Sequence, residues 1–429
     1  MRIAIETHGC KLNRAESDQL AQALVRAGHD VVTIEEDPDI YILNTCTVTH
    51  VADSKARQAL RAARRRVPGV MTLPIGCYAQ RAAGELLGIE GVARVVGGVN
   101  SQQVLSALAE MEKSICPRDG LSVLAEMKER QHGRTRAFIK VQSGCRHACS
   151  YCIVRCIKGS PVSVPVESVL AQVRERVSEG YREVVLTGTQ PGSYGRDLNG
   201  MSLGALVGRI LDETGVPRVR VSSLLPHEID STLLALMGDG RLCPHVHVPL
   251  QSGSASVLRR MRRPYTLGSF ATAVERLRGA ASRMAVTTDV IVGFPGETEG
   301  EFEESLRFCE EMGFARMHVF SFSPRPGTPA SKMQSRYEAA ERRMRMDRML
   351  ALARAIEERF LLRWVSTTCP VLWEEKREVS GRAVWSGLTD NYLRVYTGSS
   401  YDLTNQITDA RLLRAGDGAL WAEVLPFSV

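Results

Sequence analysis

Nowhere does the chain approach the roughly 18 uninterrupted apolar residues that a membrane-spanning helix needs. It has no internal repeat and no low-complexity segment, so neither a repeat array nor a biased tail is expected. The first residues, Met1-Arg2-Ile3-Ala4-Ile5-Glu6, read as a strand and lack the apolar stretch and cleavage site of a signal peptide. The expected compartment is therefore the cytoplasm, with no membrane partner. A strong charge of one sign is also missing. Lys and Arg number 55 against 48 Asp and Glu, a net charge of +7, which permits a nucleic-acid partner without requiring one. Hydrophobic residues at 44% and charged residues at 24% exclude wholesale disorder, and 429 residues predict two or three domains.

What is present is alternation. Over the first hundred residues, strands are expected at Ile3–Thr7, Val31–Ile34, Ile40–Asn44, Thr72–Gly76 and Arg94–Gly97. Helices are expected at Arg14–Ala27, Asp53–Arg66 and Ala79–Leu87. This pattern predicts an open, mainly parallel α/β sheet over residues 1–112. Residues 113–135 are polar, with Pro117, Gly120 and Gly133, and read as a connection carrying a short strand or two. A second array spans 136–364. Its strands are Ala137–Val141, Glu183–Gly188, Val219–Ser223, His245–Pro249, Val286–Gly293 and Met317–Ser321, alternating with helices and ending in a long charged one, Tyr337–Trp364. Six strand–helix units predict a partial (β/α)6 barrel with its site at the strand C-termini. Residues 365–429 hold short runs separated by Gly, Asp and Asn turns, the pattern of a small all-β barrel.

Eleven cysteines stand out, because a reducing compartment disfavours structural disulfides and favours metal or redox chemistry. Cys116, Cys243, Cys309 and Cys369 have no Cys or His at ligand spacing and read as small buried hydrophobes. Cys10, Cys46 and Cys77 each lie just past a predicted strand, on the sheet edge where ligands gather, and can meet in space. The strongest signal is Cys145-x3-Cys149-x2-Cys152 after the first barrel strand. Three thiolates can hold three corners of a [4Fe–4S] cube, leaving one iron open to chelate S-adenosylmethionine, whose one-electron cleavage yields a deoxyadenosyl radical. Tyr151 is suited to sit against the adenine. The competing reading is tetrahedral zinc with Cys156 as fourth ligand, although structural zinc usually joins two separated pairs.

These residues, taken with several other motifs, resemble the radical S-adenosylmethionine methylthiotransferase family over essentially the whole chain. The markers are Thr7-His8-Gly9-Cys10-Lys11-Leu12-Asn13, Asn44-Thr45-Cys46-Thr47-Val48, Gly76-Cys77-Tyr78, the three-cysteine loop, Leu186-Thr187-Gly188, His247 through Gly253, Asp289 through Thr298, and Phe320 through Thr328. The resemblance implies two [4Fe–4S] clusters, with Cys10, Cys46 and Cys77 holding the second, sulfur-carrying one, and an RNA-binding TRAM barrel at the C-terminus. It implies S-adenosylmethionine as cofactor and an external electron donor such as flavodoxin or ferredoxin, and leaves the sulfur donor unspecified. Candidate cofactor contacts at the strand ends are Tyr151, Thr187, Gly188, Ser223, Gln251 and Ile291, though each could merely satisfy a loop.

Family substrates are an adenosine beside the tRNA anticodon or a ribosomal-protein aspartate. The first-site stretch and Ser222-Ser223-Leu224-Leu225-Pro226-His227-Glu228-Ile229 look like the subgroup acting on N6-threonylcarbamoyladenosine rather than isopentenyladenosine. The expected reaction is methylthiolation at C2. A non-catalytic iron–sulfur RNA-binding or redox protein on the same framework is the alternative. Arg57, Arg61, Arg64, Arg65 and Arg66 cluster on one helix, and Arg259, Arg260, Arg262 and Arg263 near a barrel mouth; either set can track phosphates or simply form a solvated face. The C-terminal region is slightly acidic, so RNA contact there would rest on Lys376, Arg377 and Arg394. Two stretches depart from the family pattern: Arg155-Cys156 replaces the usual Pro-Tyr, and Thr189-Gln190-Pro191-Gly192 the usual Val-Asn-Ile-Gly.

Overall fold

The computed structural model describes residues 1–113, 135–334, 338–379, 381–416 and 418–426. The expected connecting strands and Cys116 lie outside the described residues, as does the first residue of the expected helix Tyr337–Trp364, which runs Ala339–Leu362.

The first unit is a five-stranded parallel sheet. Its strands are β1 (Arg2–Thr7), β2 (Asp30–Val32), β3 (Ile40–Thr45), β4 (Met71–Gly76) and β5 (Val96–Gly97), in the order β2-β1-β3-β4-β5. Strand β3 is buried at all six residues, as a central strand with helices on both faces must be. One face buries Ile3, Ile40, Ile42, Leu73 and Ile75 against helices Lys11–Arg26 and Ser101–Glu112. The other buries Tyr41, Leu43 and Tyr78 against helix His50–Arg66. Helix Ser101–Glu112 is not among the sequence expectations, although Asn100 caps it and Val104, Leu108 and Met111 recur on its buried face. The expected helix Ala79–Leu87 starts earlier, at Cys77, and is interrupted at Ala82, whose φ of −143° is not helical.

In the central unit, β6 (Arg136–Ser143), β8 (Glu183–Gly188) and β9 (Arg218–Val221) are parallel, with the short β7 (Val162–Ser163) antiparallel beside β6. Parallel β10 (His245–His247), β11 (Ala285–Val292) and β12 (Arg316–Ser321) continue the array, and a bridge from Ser223 to His247 joins the two halves. Among the described residues no pairing connects β12 back to β6, so the barrel is partial; helix Lys11–Arg26 packs against β6 and β8. Leu186, Val219, Val246, Val286 and Phe270 centre its core.

Five antiparallel and parallel strands then close a barrel in the order β13-β14-β15-β17-β16: β13 (Thr368–Val379), β14 (Arg382–Thr389), β15 (Arg394–Thr397), β16 (Ile407–Gly416) and β17 (Ala419–Val424). Strand β13 is longer than the short runs expected here, and a bulge between Trp373 and Glu375 re-registers it against β14. Arg218 and Arg220 of β9 donate to carbonyls of Pro370, Leu388 and Thr389, docking this barrel onto the central one. Cys309 and Cys369 are buried among apolar side chains, in keeping with their expected role, whereas the buried Cys243 thiol lies 3.9 Å from Glu183 Oε2. Among the described residues, no helix is long and apolar enough to cross a membrane.

Candidate active site

The sheet geometry gathers the first cysteine triad. Cys10 caps helix Lys11–Arg26 after β1, Cys46 follows β3, and Cys77 opens a helix directly after β4. Gly76 makes that last turn possible: its φ is +91°, and a Cβ there would lie 2.5 Å from Asn44 Oδ1. A buried amide pair holds the strand ends together, with Asn13 Nδ2 donating to Asn44 Oδ1 at 2.9 Å and Asn44 Nδ2 donating to the Asn13 carbonyl at 2.9 Å. The Cys10 thiol donates to Asn13 Oδ1 at 3.2 Å. Neither asparagine was expected at the site, although both belong to the motifs quoted above. Burial pushes the Cys77 thiol up to about 12, opposed by the Lys158 ammonium, while Cys46 and Cys10 are near enough to raise it further. Burial likewise raises Cys46, with Cys10 adding to the effect.

The second triad lies on the loop after β6. Gly144 has φ +83°, and a Cβ there would meet the Ser160 carbonyl oxygen at 2.0 Å, so only glycine allows the loop to fold back. Cys145 N–H then donates to the Gly159 carbonyl at 3.0 Å. Burial raises Cys145 and pushes Cys152 up to about 11, with Cys149 acting on both. Raised thiols become thiolates only when a cation rewards the charge, as metal ligation does.

Zinc and an iron–sulfur cube make different demands. Tetrahedral zinc at about 2.3 Å per sulfur draws its ligands to within about 3.8 Å of one another. Among the described residues, the group of side chains that converges within 4.8 Å is His147, His227 and Glu228; no set of cysteines does. A four-iron cube holds its thiolates further apart than a single ion does, so thiols that do not converge to zinc spacing remain compatible with one. Cys156 is exposed on helix Val154–Lys158.

Tyr151, Cys152, Gln251 and Ile291 line one cavity of about 210 Å³, together with Asp289, Phe320 and the first unit's Val48 and Thr49. Gln251 holds φ +71°, a strained conformation for a non-glycine residue, between bonds to Asp289 and Ile291. Thr187, Gly188 and Ser223 end neighbouring strands without lining that cavity. Beside them the hydroxyls of Thr189 and Ser222 are buried without a hydrogen-bond partner, polar positions that a polar cofactor can satisfy. The unusual Gln190 donates to Glu228 and approaches His147 Nε2 at 2.8 Å, and Gly192 leaves room for the Glu228 side chain. Burial pushes His147 down to about 4, so it is neutral there.

The expected RNA-facing role does not fit three arginines. Arg263 is half-buried and donates to Cys149 Sγ and Tyr151 Oη, both at 3.3 Å, and to Tyr265 Oη at 2.8 Å. It faces the cysteine loop. Arg260 is paired with Glu301 at 2.7 Å. Arg394 bonds Glu374, Ser386 Oγ and the Gly387 carbonyl within the terminal barrel. Arg259, Arg262, Lys376 and Arg377 are exposed, Lys376 lying over the Trp385 ring and Arg377 paired with Glu375. On helix His50–Arg66, Arg57, Arg64 and Arg66 pair with Glu85, Glu90 and Glu35.

Comparison with known proteins agrees with this architecture. Residues 139–309 match the Radical SAM superfamily and residues 2–98 match Uncharacterized protein family UPF0004. The radical S-adenosylmethionine methyltransferase TsrM from Kitasatospora setae shares the fold, with TM-score 0.57 and 15% identity over 77% of this chain and 76% of that one. The partial barrel with its three-cysteine loop is that of the radical S-adenosylmethionine class. Threonylcarbamoyladenosine tRNA methylthiotransferase MtaB of Bacillus subtilis is 35% identical over 96% of this chain and 94% of its own length. The protein of that name from Thermotoga maritima is 34% identical over 92% and 90%. The chain belongs to the radical S-adenosylmethionine methylthiotransferase family.

Proposed function

We infer that this chain is an enzyme, a transferase that adds a methylthio group to C2 of N6-threonylcarbamoyladenosine beside the tRNA anticodon. The observation that carries the reading is identity of 35% and 34%, over more than nine-tenths of the chain, to two proteins named for that activity. Its cofactors are S-adenosylmethionine and two [4Fe–4S] clusters, which when bound supply one-electron cleavage of the sulfonium and the sulfur for transfer. Cys145, Cys149 and Cys152 would hold the first cluster, and Cys10, Cys46 and Cys77 the second.

The chain's own residues prepare both positions. Arg263 sets a guanidinium against Cys149 Sγ at 3.3 Å and so holds the cysteine loop in place. Tyr151, Gln251 and Ile291 would bind and orient the cofactor in the shared cavity, and Phe322 packs beside them to keep water out. Thr187, Gly188 and Ser223 would meet it from the neighbouring strand ends. Lys158 brings a cation from the barrel to the Cys10–Cys77 group, held by Glu16 at 3.0 Å. We assign residues 1–112 to sulfur handling, 136–364 to radical generation and 365–429 to RNA contact, with 113–135 as the connection. Arg259, Arg262, Lys376 and Arg377 are the candidate phosphate contacts. A flavodoxin- or ferredoxin-type protein in the cytoplasm would deliver the electrons.

Mass spectrometry of tRNA nucleosides from cells with and without the gene tests the reading. Loss of the methylthio-threonylcarbamoyladenosine peak on deletion is expected. An unchanged peak would overturn it and direct attention to the ribosomal-protein aspartate.

A further inference from the structure

Lys11 follows Cys10 directly, yet its side chain turns away from the cysteines into the interior of the central barrel. Its ammonium lies 5.4 Å from the centre of the Tyr392 ring, which the terminal barrel inserts from the turn between β14 and β15. That ring stacks on buried His245, with centroids 4.5 Å apart. From there a polar column runs along the strands. Thr287 Oγ1 meets His245 Nε2 at 3.1 Å and His247 Nδ1 at 3.0 Å. His247 Nε2 lies 3.3 Å from Asp289 Oδ2, and its ring is 6.1 Å from that of His318 on β12. Asp289 is also a wall of the cavity that holds Tyr151, Cys152, Gln251 and Ile291. The column therefore opens into the site where the cofactor is expected.

Its charge is unbalanced. Among the described residues no carboxylate lies within ion-pair distance of Lys11, and the carboxylates around it are engaged: Glu183 with Arg220 at 2.7 Å, Glu16 with Lys140 and Lys158 at 3.0 Å. Asp289 faces His247 rather than Lys11. The ring of Tyr392 compensates the ammonium only in part. A cation inside a barrel without a counter-ion is costly unless a ligand supplies one. The imidazole of His318 adds a hydrogen-bonding group on the same path, while both nitrogens of His247 are engaged by Thr287 and Asp289. An aliphatic substituent would leave the Lys11 ammonium without a counter-ion. A carboxylate on a short polar arm would pair with it.

We propose that this column is the subsite for the carboxylate-bearing substituent on N6 of the target adenosine, with Lys11 as its charge anchor and His318 as its hydrogen-bonding partner. The proposal rests on the function inferred above, because threonylcarbamoyl is the N6 group that carries such a carboxylate. Lys11 would then be a specificity residue as well as the start of a helix.

The test measures binding of two RNA stem-loops to the full-length, cluster-loaded protein by fluorescence anisotropy at fixed salt. One stem-loop carries N6-threonylcarbamoyladenosine, and the other carries it with the carboxylate blocked as a methyl ester. The wild type should prefer the acid by about tenfold, as expected for one ion pair in a partly screened interior. Lys11→Gln should abolish the preference and Lys11→Arg should restore most of it, with iron content and circular dichroism as folding controls. His318→Leu, on a strand away from both cysteine triads, should reduce the preference about threefold, and keeps the test decisive if Lys11→Gln loses iron. Undiminished preference in Lys11→Gln or in His318→Leu overturns the proposal. Absence of any preference in the wild type also overturns it. If cellular tRNA nonetheless carries the methylthio product, the functional reading survives that failure; if the product is missing too, both fall.

Discussion

Cys156 stands exposed on helix Val154–Lys158, four residues beyond the last cysteine of the barrel loop. Four protein thiolates on one cluster would leave no iron to chelate the cofactor, so Cys156 belongs outside the ligand set. Cys156→Ala should keep about eight irons per chain, two four-iron clusters, and retain deoxyadenosine formation. Loss of about four irons would make it a ligand. The two triads should also separate functionally. Cys149→Ala should abolish deoxyadenosine formation in an anaerobic assay with S-adenosylmethionine and reductant. Cys46→Ala should leave that cleavage measurable while removing methylthiolation, and retained methylthiolation would sink the assignment of Cys10, Cys46 and Cys77. At this scale the cysteine pattern was legible because Gly-Cys steps and ligand spacing are local. The role of Arg263 was not. Its neighbours Arg259 and Arg262 point to solvent, and only the fold turns its guanidinium toward Cys149.

Among the elements, helix Glu299–Met312 shows how a cap and an ion pair combine. Thr298 and Glu301 form a capping box, and Arg260 from the neighbouring helix binds the same Glu301. The Arg260 guanidinium holds the Glu301 carboxyl down to about 2, below the ordinary 4.5. Its stabilising contribution is therefore complete above pH 4.5 and is lost as pH falls through 2. Glu301→Gln should lower the melting temperature at pH 6, and the difference from wild type should shrink steadily below pH 4.5; a constant difference would disprove the pairing. The terminal barrel offers a contrast between two cations. Arg394→Ala removes bonds to Glu374, Ser386 and Gly387 and should cost about 2 kcal/mol in chemical denaturation. Lys376→Ala, at an exposed position, should leave stability unchanged and reduce the salt dependence of RNA binding by about one counter-ion.

For the whole molecule, the decisive contact is where the first sheet meets the central barrel. Asp53, 3% exposed, accepts from Arg81 at 3.0 Å and from Arg325 at 2.6 Å, and Thr47 Oγ1 accepts from both arginines. His50 N–H donates to Ser323 Oγ across the same junction. Thr47 immediately follows Cys46, so this network fixes the loop of the first triad against the barrel. Asp53→Asn would leave two guanidiniums without their charge partner and should cost about 3–5 kcal/mol. Hydrogen exchange should quicken at residues 46–53 ahead of the barrel strands, and uniform exchange would count against a junction role.

The amino-acid sequence by itself determined the three-part organisation, the parallel strand–helix alternation and the Cys145-Cys149-Cys152 loop. Each of these is written in short-range terms: apolar period, glycine turns and ligand spacing. The family resemblance, carried by contiguous motifs, added the cofactors. Tertiary structure alone decided which charges face whom. Arg260, Arg263 and Arg394 read as surface cations in sequence, and each found an internal partner from a distant segment. Lys11 comes from the first helix, His318 from β12 and Tyr392 from the terminal barrel, and they line one column because the first helix and the terminal barrel both close on the central one. A charge's partner depends on long-range packing, which no local pattern encodes.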